Sequence, residues 1–456
     1  MNKKKVRIID EKTPLWIITY PIFIEILLNM LVGNVDQFML SRFSDNAVAA
    51  LSNVTQIMGI VFVLFSVLAT ATTILVSQVL GAKDYDKVSE IYTVAVHVNL
   101  AFGILMSILL TVFARSILGL LQTPDELMKD ALTYLYIVGA GVFGQAVIST
   151  MGAIFRANGH ALYGTIISMG VNILNIIGNA LLLFGWFGLP RLGVAGVAIS
   201  TLVSRGVGMV LMLILFKLKI NGSISFRYLR PFPRATLVKL LKVGIPSAGE
   251  ELMYNSAETV VLGFANTMGA MVLAGRAYAY IIAWFSVLYT VAVSEGTQII
   301  VGHLIGAGDE DAADRRVRRT LWPAVLVSLC ITVTIYLNSD TLLSIFTSNP
   351  EIIAIGKQLL FMEIFREFGS TFNVVIIRSL QAAGDVRFPV FIGILSMWGV
   401  MVPLAYLFGV HFGLGLLGLW IGVACDELVR AVIVFFRWKK GYWRGRALAG
   451  VNAAEV

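Results

Sequence analysis

The sequence predicts an all-α, polytopic membrane protein, with twelve transmembrane helices in two pseudo-symmetric lobes of six. Three observations lead there. The 456 residues are 58% hydrophobic and only 14% charged, with a mean hydropathy of +0.84, whereas soluble domains carry about 25% charged residues. The apolar residues fall into long runs of about 20, the length that crosses a bilayer as a helix; a membrane β-barrel would alternate over segments of about ten. Landmarks also recur at a fixed offset. Pro21 and Pro246 open PIFIE and PSAGE, Gly81 in VLGA answers Gly306 in LIGA, and Gly159 in RANGH answers Gly384 in QAAGD. The separation along the chain is identical for all three pairs.

In chain order the spans fall at about 15–40, 53–80, 91–113, 132–155, 162–185, 194–217, 244–266, 277–304, 320–337, 354–380, 388–409 and 414–436. Residues 1–217 form an N-terminal lobe of spans one to six. Residues 218–243 are a basic cytoplasmic linker, and 244–456 form a C-terminal lobe with a basic tail. LGVAGVAIS (192–200) and LGLLGLWIG (414–422) repeat with a small slip in the offset. Six is an even number, so both lobes enter the membrane in the same direction. Parallel repeats of this kind suit alternating-access transporters with the substrate between the halves. The basic segment Met1–Lys12 precedes an apolar run far longer than a signal-peptide core, with no small-residue cleavage site, so it is read as leading a retained first span. With the N-terminus in the cytoplasm, the cytoplasmic loops and tails hold about 25 of the 35 basic residues. Both termini are therefore expected in the cytoplasm. The net charge of +8 suits anionic lipid headgroups rather than nucleic acid.

The first span, PLWIITYPIFIEILLNMLVGNVDQFML (14–40), carries Glu25, Asn29 and Asp36. At 100° per residue Asn29 lies about 40° from Glu25, and Asp36 about 20° from it. The three share one stripe on an otherwise apolar helix. A carboxylate at membrane depth costs at least ~2.5 kcal/mol on insertion scales, so it faces a cavity or a partner. The fifth span carries Ser168, Asn172, Asn175 and Asn179 on one face, and the sixth carries Thr201 and Arg205 one turn apart. Such a set, with Asp36 supplying the negative charge, can hold a proton on the carboxylate or a hard cation such as Na⁺ among the oxygens of Asp36, Asn175 and Asn179. Asn and Thr also serve as plain hydrogen-bonding glue between membrane helices.

The second half has its own acids. Glu251, Asn255 and Glu258 share a face of the seventh span, with Glu250 beside it; Glu295 and Gln298 lie on the eighth; Glu363, Arg366 and Glu367 on the tenth; Asp426, Glu427 and Arg430 on the twelfth. Glu363 with Arg366 and Asp426 with Arg430 are at helical neighbour spacing and can neutralise each other. Glu251 and Glu258 have no basic residue within their own span, and suit a cavity wall that attracts cationic substrates. Cys330 and Cys425 give no disulfide framework or metal spacing, and His97, His160, His303 and His411 are scattered. HExxH, G-x-S-x-G and the Walker A sequence are missing. No enzyme and no cofactor is expected, and transport must run on an ion gradient or downhill.

At NVDQFMLSRFSDNAVAALS (34–52), SQVLGAKD (77–84), RANGHALYG (156–164), NILNIIGNALLLFG (172–185), LGVAGVAIST (192–201) and LQAAGDVRFP (380–389) the chain resembles the multidrug and toxic compound extrusion (MATE) family, bacterial type, over about residues 12–440. The resemblance implies two six-helix lobes around a V-shaped central cavity, and efflux of organic cations or amphiphiles driven by inward H⁺ or Na⁺. It implies a cation-coupling site at Asp36, Asn175, Asn179 and Thr201; members with a proton site often have an aspartate where this chain has Asn179. Members with an acidic site in the second lobe place carboxylates on the seventh and tenth spans, the regions of Glu251, Glu258 and Glu367. The expected protein is a monomeric antiporter of the inner (plasma) membrane. The alternative is a flippase for lipid-linked or polysaccharide precursors, of similar architecture.

Overall fold

The computed structural model describes residues 9–449; the ends of both tails read as cytoplasmic lie outside them. The chain runs through α1 (Trp16–Ser41), α2 (Asp45–Gly81), α3 (Tyr85–Val112), α4 (Ala114–Leu120), α5 (Asp125–Ala140), α6 (Phe143–Ala157), α7 (Ala161–Phe184) and α8 (Val194–Lys219). It continues with α9 (Arg234–Asn266), α10 (Ala270–Gly306), α11 (Glu310–Leu337), α12 (Ser339–Ser344), α13 (Pro350–Ala382), α14 (Arg387–Ser396), α15 (Val402–Ala405) and α16 (Gly415–Lys439). No strand occurs among the described residues. Among the described residues eight helices are long and apolar enough to cross a membrane, or nine if the bent pair α5–α6 counts as one. The remaining predicted spans, α9, α13 and α16, are long enough but carry clustered charge: Glu250, Glu251 and Glu258; Glu363, Arg366 and Glu367; Asp426, Glu427 and Arg430.

The repeat of the sequence is a repeat of structure. α2 and α10 each have 37 residues and end at Gly81 and Gly306. α3 and α11 each have 28, and their first turns are capped by Asp84 and Asp309, a pair at the same offset as the others. Each of these side chains accepts a backbone N–H that the helix itself cannot satisfy. Gly159 and Gly384 both take positive φ.

One span departs from the repeat. The fourth is broken into α5 and α6 by a 51° bend, whereas its counterpart α13 runs unbroken for 33 residues. The sequence at the break is Gly139-Ala140-Gly141, and glycine pairs are a common cause of kinks. A Cβ at Gly141 would lie 1.9 Å from Leu202 Cδ1 of α8, so the bend lets α8 close in. The eleventh span, 387–411, is wound as α14, a π turn (Met397–Met401), α15 and a second π turn (Tyr406–His411). Pro403 sits at its centre, where its missing N–H removes a helical bond.

The chain gathers into two units. One is Tyr20–Ile245; the other is the chain from Pro246, joined by Ile9–Thr19. Residues 234–243 are the first turns of α9. In the first unit α7 packs on α8, and α2 and α3 on α6; in the second, α13 packs on α10, α11 and α16. The cores are apolar, with Phe65, Leu118, Leu135 and Ala146 in the first unit and Ala257, Leu359, Met401 and Leu419 in the second. Many large apolar side chains point outward, among them Leu120, Ile166, Val210, Leu326 and Phe391. A soluble protein rarely exposes such continuous apolar surface; a bilayer requires it. Glu11, ahead of α1, is clasped by Arg315 at 2.8 Å and Arg319 at 3.0 Å. The hydrogen bond from Arg315 holds its carboxyl below the ordinary range.

Candidate functional site

In the first unit the polar stripe of α1 meets the polar face of α7. Pro21 O accepts from Thr165 Oγ1 at 2.9 Å. Asn29 Oδ1 accepts from Ser168 Oγ at 3.3 Å and from Asn172 Nδ2 at 2.9 Å. Asp36 Oδ1 accepts from Asn179 Nδ2 at 2.8 Å. Glu25 is near the guanidinium of Arg156, at 3.7 Å. The four-three-four spacing puts these α7 residues on one face, from which Ser168, Asn172 and Asn179 bond α1 and Asn175 bonds α8.

Asp36 continues into α8 through amides. Asn179 Nδ2 also reaches Asn175 Oδ1 at 3.5 Å, and Asn175 Nδ2 reaches Thr201 Oγ1 at 3.2 Å and Ser200 Oγ at 3.4 Å. Ser200 Oγ donates to Asn175 O at 2.8 Å. This close approach depends on Gly178, where a Cβ would lie 2.3 Å from Ser200 Oγ. Asn175, Asn179 and Thr201 are buried and Asp36 is partly exposed. The structure therefore brings together Asp36, Asn175, Asn179 and Thr201, with Glu25 and Asn29 further along the same stripe.

Two features bear on chemistry. Asp36 makes no ion pair within 4.0 Å among the described residues; its direct partner is a neutral amide. Asn179 Oδ1 and Arg205 Nη1 are both buried and have no hydrogen-bond partner. Arg205 lies over the Phe62 ring, 5.2 Å from its centroid. A carboxylate with a spare lone pair beside an unpartnered amide oxygen can accept a proton, or give two oxygens to a monovalent cation. Among the described residues no three of His, Cys, Asp and Glu converge as a transition-metal site. Sequence reasoning passed over Ser200 and Tyr134. Tyr134 lies beside Thr201 and Arg205, but it comes from the span that bends, so helical spacing alone could not aim it.

In the second unit the acids fall into different settings. Glu363 is buried and receives Arg366 Nε on both oxygens at 2.8 Å, with Trp420 Nε1 at 3.4 Å. Glu367 is fully buried, accepts from Thr290 Oγ1 at 2.6 Å and Thr371 Oγ1 at 3.2 Å, and lies 3.6 Å from Arg366. Arg430 bridges Asp426 at 2.7 Å and Glu427 at 2.8 Å, and Asn373 completes Glu427. Glu251 is exposed and Glu295 half-buried. Glu258 lines a cavity of about 130 Å³ in this unit, with Glu363 and Arg366 also in its wall. Glu251, Glu295 and Glu367 are not among the residues that line it.

Comparison with known proteins follows the same division. The MatE family model matches residues 21–181 and again 246–407. The chain is 40% identical over 440 residues to the uncharacterized transporter YisQ of Bacillus subtilis (strain 168), covering 96% of this chain and 97% of that protein. It is 27% identical to the probable multidrug resistance protein NorM of Thermotoga maritima, covering 93% and 91%. Among solved structures, the Vibrio cholerae MATE transporter VcmN in its bent form superposes with a TM-score of 0.87 at 20% identity, over 95% of this chain and 97% of that one. An outward-facing multidrug resistance MATE family transporter of the MOP superfamily gives the same TM-score at 21% identity. These structural likenesses carry the twelve-helix fold.

Proposed function

The chain belongs to the MatE family of membrane transporters, and on that premise we propose that it is an antiporter exporting organic cations and amphiphiles in exchange for H⁺ or Na⁺. The observation that carries this reading is the state of Asp36. Its direct hydrogen-bond partner is a neutral amide rather than an arginine, so its charge can change at the cost of one hydrogen bond and of a longer-range attraction to Arg205. The names of two curated relatives, both probable multidrug resistance proteins, support the substrate class. The coupling site consists of Asp36, Asn175, Asn179 and Thr201.

Proton uptake at Asp36 removes the anion that Asn179 Nδ2 now serves. Rotation of that amide by half a turn turns its unpartnered Oδ1 toward the new O–H, which needs an acceptor. The bond between α1 and α7 is thereby remade in the opposite polarity, and that rearrangement weakens the hold on the drug. Na⁺ would act differently, drawing on Asp36 and the oxygens of Asn175 and Asn179. One proton moving inward through ~100 mV and one pH unit releases roughly 2.3 and 1.4 kcal/mol, enough to sustain a gradient of several hundredfold for a neutral substrate. For a monovalent cation exchanged one for one, only the pH component remains. The protein would reside in the plasma membrane with both termini in the cytoplasm, act as a monomer, and use its two lobes for alternating access.

The test is dye transport in proteoliposomes under ΔpH and ΔNa⁺ imposed separately. Ethidium should accumulate under one gradient and not the other, and Asp36→Asn should abolish the accumulation. Full, gradient-dependent transport by Asp36→Asn would end the proposal.

A further inference from the structure

We propose that the cavity in the second unit binds small zwitterions built on one aromatic ring, with the ligand carboxylate on Arg276 and its ammonium on Glu258. The inference concerns binding within this unit and does not depend on the coupling chemistry at Asp36.

Size and lining set the ligand's body. The cavity has a volume of about 130 Å³, close to the engineered cavity of about 150 Å³ that admits a benzene ring. Tyr254, Tyr280, Trp284 and Trp420 stand in its wall. Aromatic faces and edges favour another ring, stacked offset or edge-on.

Charge sets the ligand's ends. Four ionisable groups of opposite sign line the space, Glu258, Arg276, Glu363 and Arg366. Glu363 and Arg366 neutralise each other through the doubled hydrogen bond, and the indole of Trp420 also donates to Glu363. That pair forms wall and contributes no net charge. Glu258 and Arg276 remain. Neither makes an ion pair within 4.0 Å among the described residues, with each other or with anything else. Glu258 receives one long hydrogen bond from the Tyr254 hydroxyl, at 3.4 Å. Arg276 is held by ring faces, its Cζ 5.5 Å from the centroids of both Tyr280 and Trp420. Its Nε is buried and has no hydrogen-bond partner.

An arginine set against rings differs from one set against oxygens. The rings offer its N–H donors no oxygen acceptor, and those donors lie in the guanidinium plane. The donors of Arg276 are thus left for a planar, twofold acceptor, which a carboxylate is. A simple organic cation in the same space would satisfy Glu258 but sit close to a like charge at Arg276. A simple carboxylate would meet the converse problem at Glu258. A zwitterion satisfies both poles, and the ring between them fills the aromatic walls.

The experiment measures equilibrium binding to the purified full-length protein by calorimetry, with quenching of tryptophan fluorescence as a second signal because Trp284 and Trp420 line the cavity. The probes are 4-(aminomethyl)benzoate, benzylamine and benzoate, which share the ring and differ only in their charged ends. The zwitterion should bind about tenfold or more tighter than either single-charge probe, as expected of one added charge-assisted pair. Arg276→Gln should lower zwitterion affinity to that of benzylamine and leave benzylamine as tight as in the wild type or tighter, while Arg276→Lys, which keeps the charge but not the planar fork, should keep only part of the preference. Glu258→Gln should lower the zwitterion to the level of benzoate. Binding is read with no gradient imposed, so the outcome does not depend on whether the protein transports the probe. Equal affinity for zwitterion and benzylamine in the wild type overturns the proposal without any variant. So does an Arg276→Gln protein that weakens every probe alike, which is the behaviour of a residue that only packs.

Discussion

The two units share a scaffold, but Asp36 in the first and Glu363 and Glu367 in the second fall where the other unit has no ionisable group. Carried forward by the offset of the repeat, Asp36, Asn175 and Asn179 fall on Val261, Val400 and Leu404. Carried back by the same offset, Glu363 and Glu367 fall on Val138 and Val142. The two clusters also differ in kind. In the first unit one carboxylate is held by a chain of neutral amides and hydroxyls. In the second, carboxylates and arginines are locked in buried pairs, Glu363 with Arg366 and Asp426 and Glu427 with Arg430. A carboxylate beside an amide changes charge at the cost of one hydrogen bond. A carboxylate that alone neutralises a buried arginine resists the change, because protonation leaves a desolvated cation behind. Duplication thus supplied two frames, of which the first holds a group suited to change charge and the second holds groups suited to keep it.

The sharpest way to break that contrast is to remove the cation on the locked side. Arg430→Met leaves Asp426 and Glu427, both buried, without a counter-charge. Breaking a buried pair from one side costs about 3–5 kcal/mol, so the variant should be recovered in poor yield with a strongly lowered melting temperature. Adding Asp426→Asn and Glu427→Gln to it should restore most of the loss. Normal stability of the single variant, read by thermal unfolding in detergent, would mean the cluster is open to water and belongs with Asp36. The matching change in the first unit, Asp36→Asn, should leave stability within about 1 kcal/mol while removing up to about 3.7 kcal/mol of driving force, the whole of the proton's contribution. Folding and transport are therefore expected to separate: loss of Arg430 shows in the melt, loss of the Asp36 carboxylate in the flux.

Much of this was legible in the sequence, for stated reasons. The constant offset between landmarks revealed the order of helices because a span must recur at bilayer length whatever its side chains. The polar face of α7 was legible because Ser168, Asn172, Asn175 and Asn179 fall at helical spacing. The Glu363–Arg366 and Asp426–Arg430 pairs were legible because each lies within about one turn. What could not be read were the contacts across helices that depend on backbone breaks. The bend at Gly139-Ala140-Gly141 brings Tyr134 beside Thr201, and no periodicity carries through a 51° kink. Asn373 completing Glu427, and Arg276 resting on Trp420, join residues far apart in the chain, which a single sequence does not pair. The N-terminal approach to α1 was read as part of the first lobe, yet Ile9–Thr19 groups with the second unit. Glu11 shows why: its carboxylate is taken by arginines of α11.

Two changes of intermediate size sharpen the comparison. Gly141→Ala in the broken span places a Cβ 1.9 Å from Leu202 Cδ1. Overpacking of this kind costs about 1–3 kcal/mol. It should also lower transport more than the comparably overpacked Gly356→Ala in the unbroken α13, whose Cβ would meet Leu343 at 2.8 Å. Equal effects of the two on flux, after matching for stability, would deny the bend any role beyond packing. Asn179→Leu keeps the branching of the side chain, at a larger volume, and removes the amide that serves Asp36. It should reduce gradient-driven transport by about tenfold, the worth of one hydrogen bond to a charged group, and Asn179→Asp should restore activity with a changed pH dependence, since two acids then share one site.

The smallest effect is expected at Glu25, and it separates the two kinds of acid within a single helix. Glu25 and Asp36 lie on the same stripe of α1, but Glu25 sits 3.7 Å from Arg156, and both side chains of that pair are about one-fifth exposed. Partly solvated pairs of this sort contribute about 0–1 kcal/mol. Glu25→Gln should therefore shift the melting temperature slightly, leave drug efflux near the wild-type level, and leave its response to imposed ΔpH unchanged. Its counterpart in the repeat is Glu250, whose Oε1 would lie 3.0 Å from a Cβ built on Gly393, so Glu250→Gln serves as the paired control in the second unit. If Glu25→Gln uncouples transport as fully as Asp36→Asn does, then charge on the stripe as a whole matters rather than the amide-held acid alone. The distinction between an arginine-paired and an amide-held carboxylate, on which the comparison of the two units turns, would then fail inside the first unit itself.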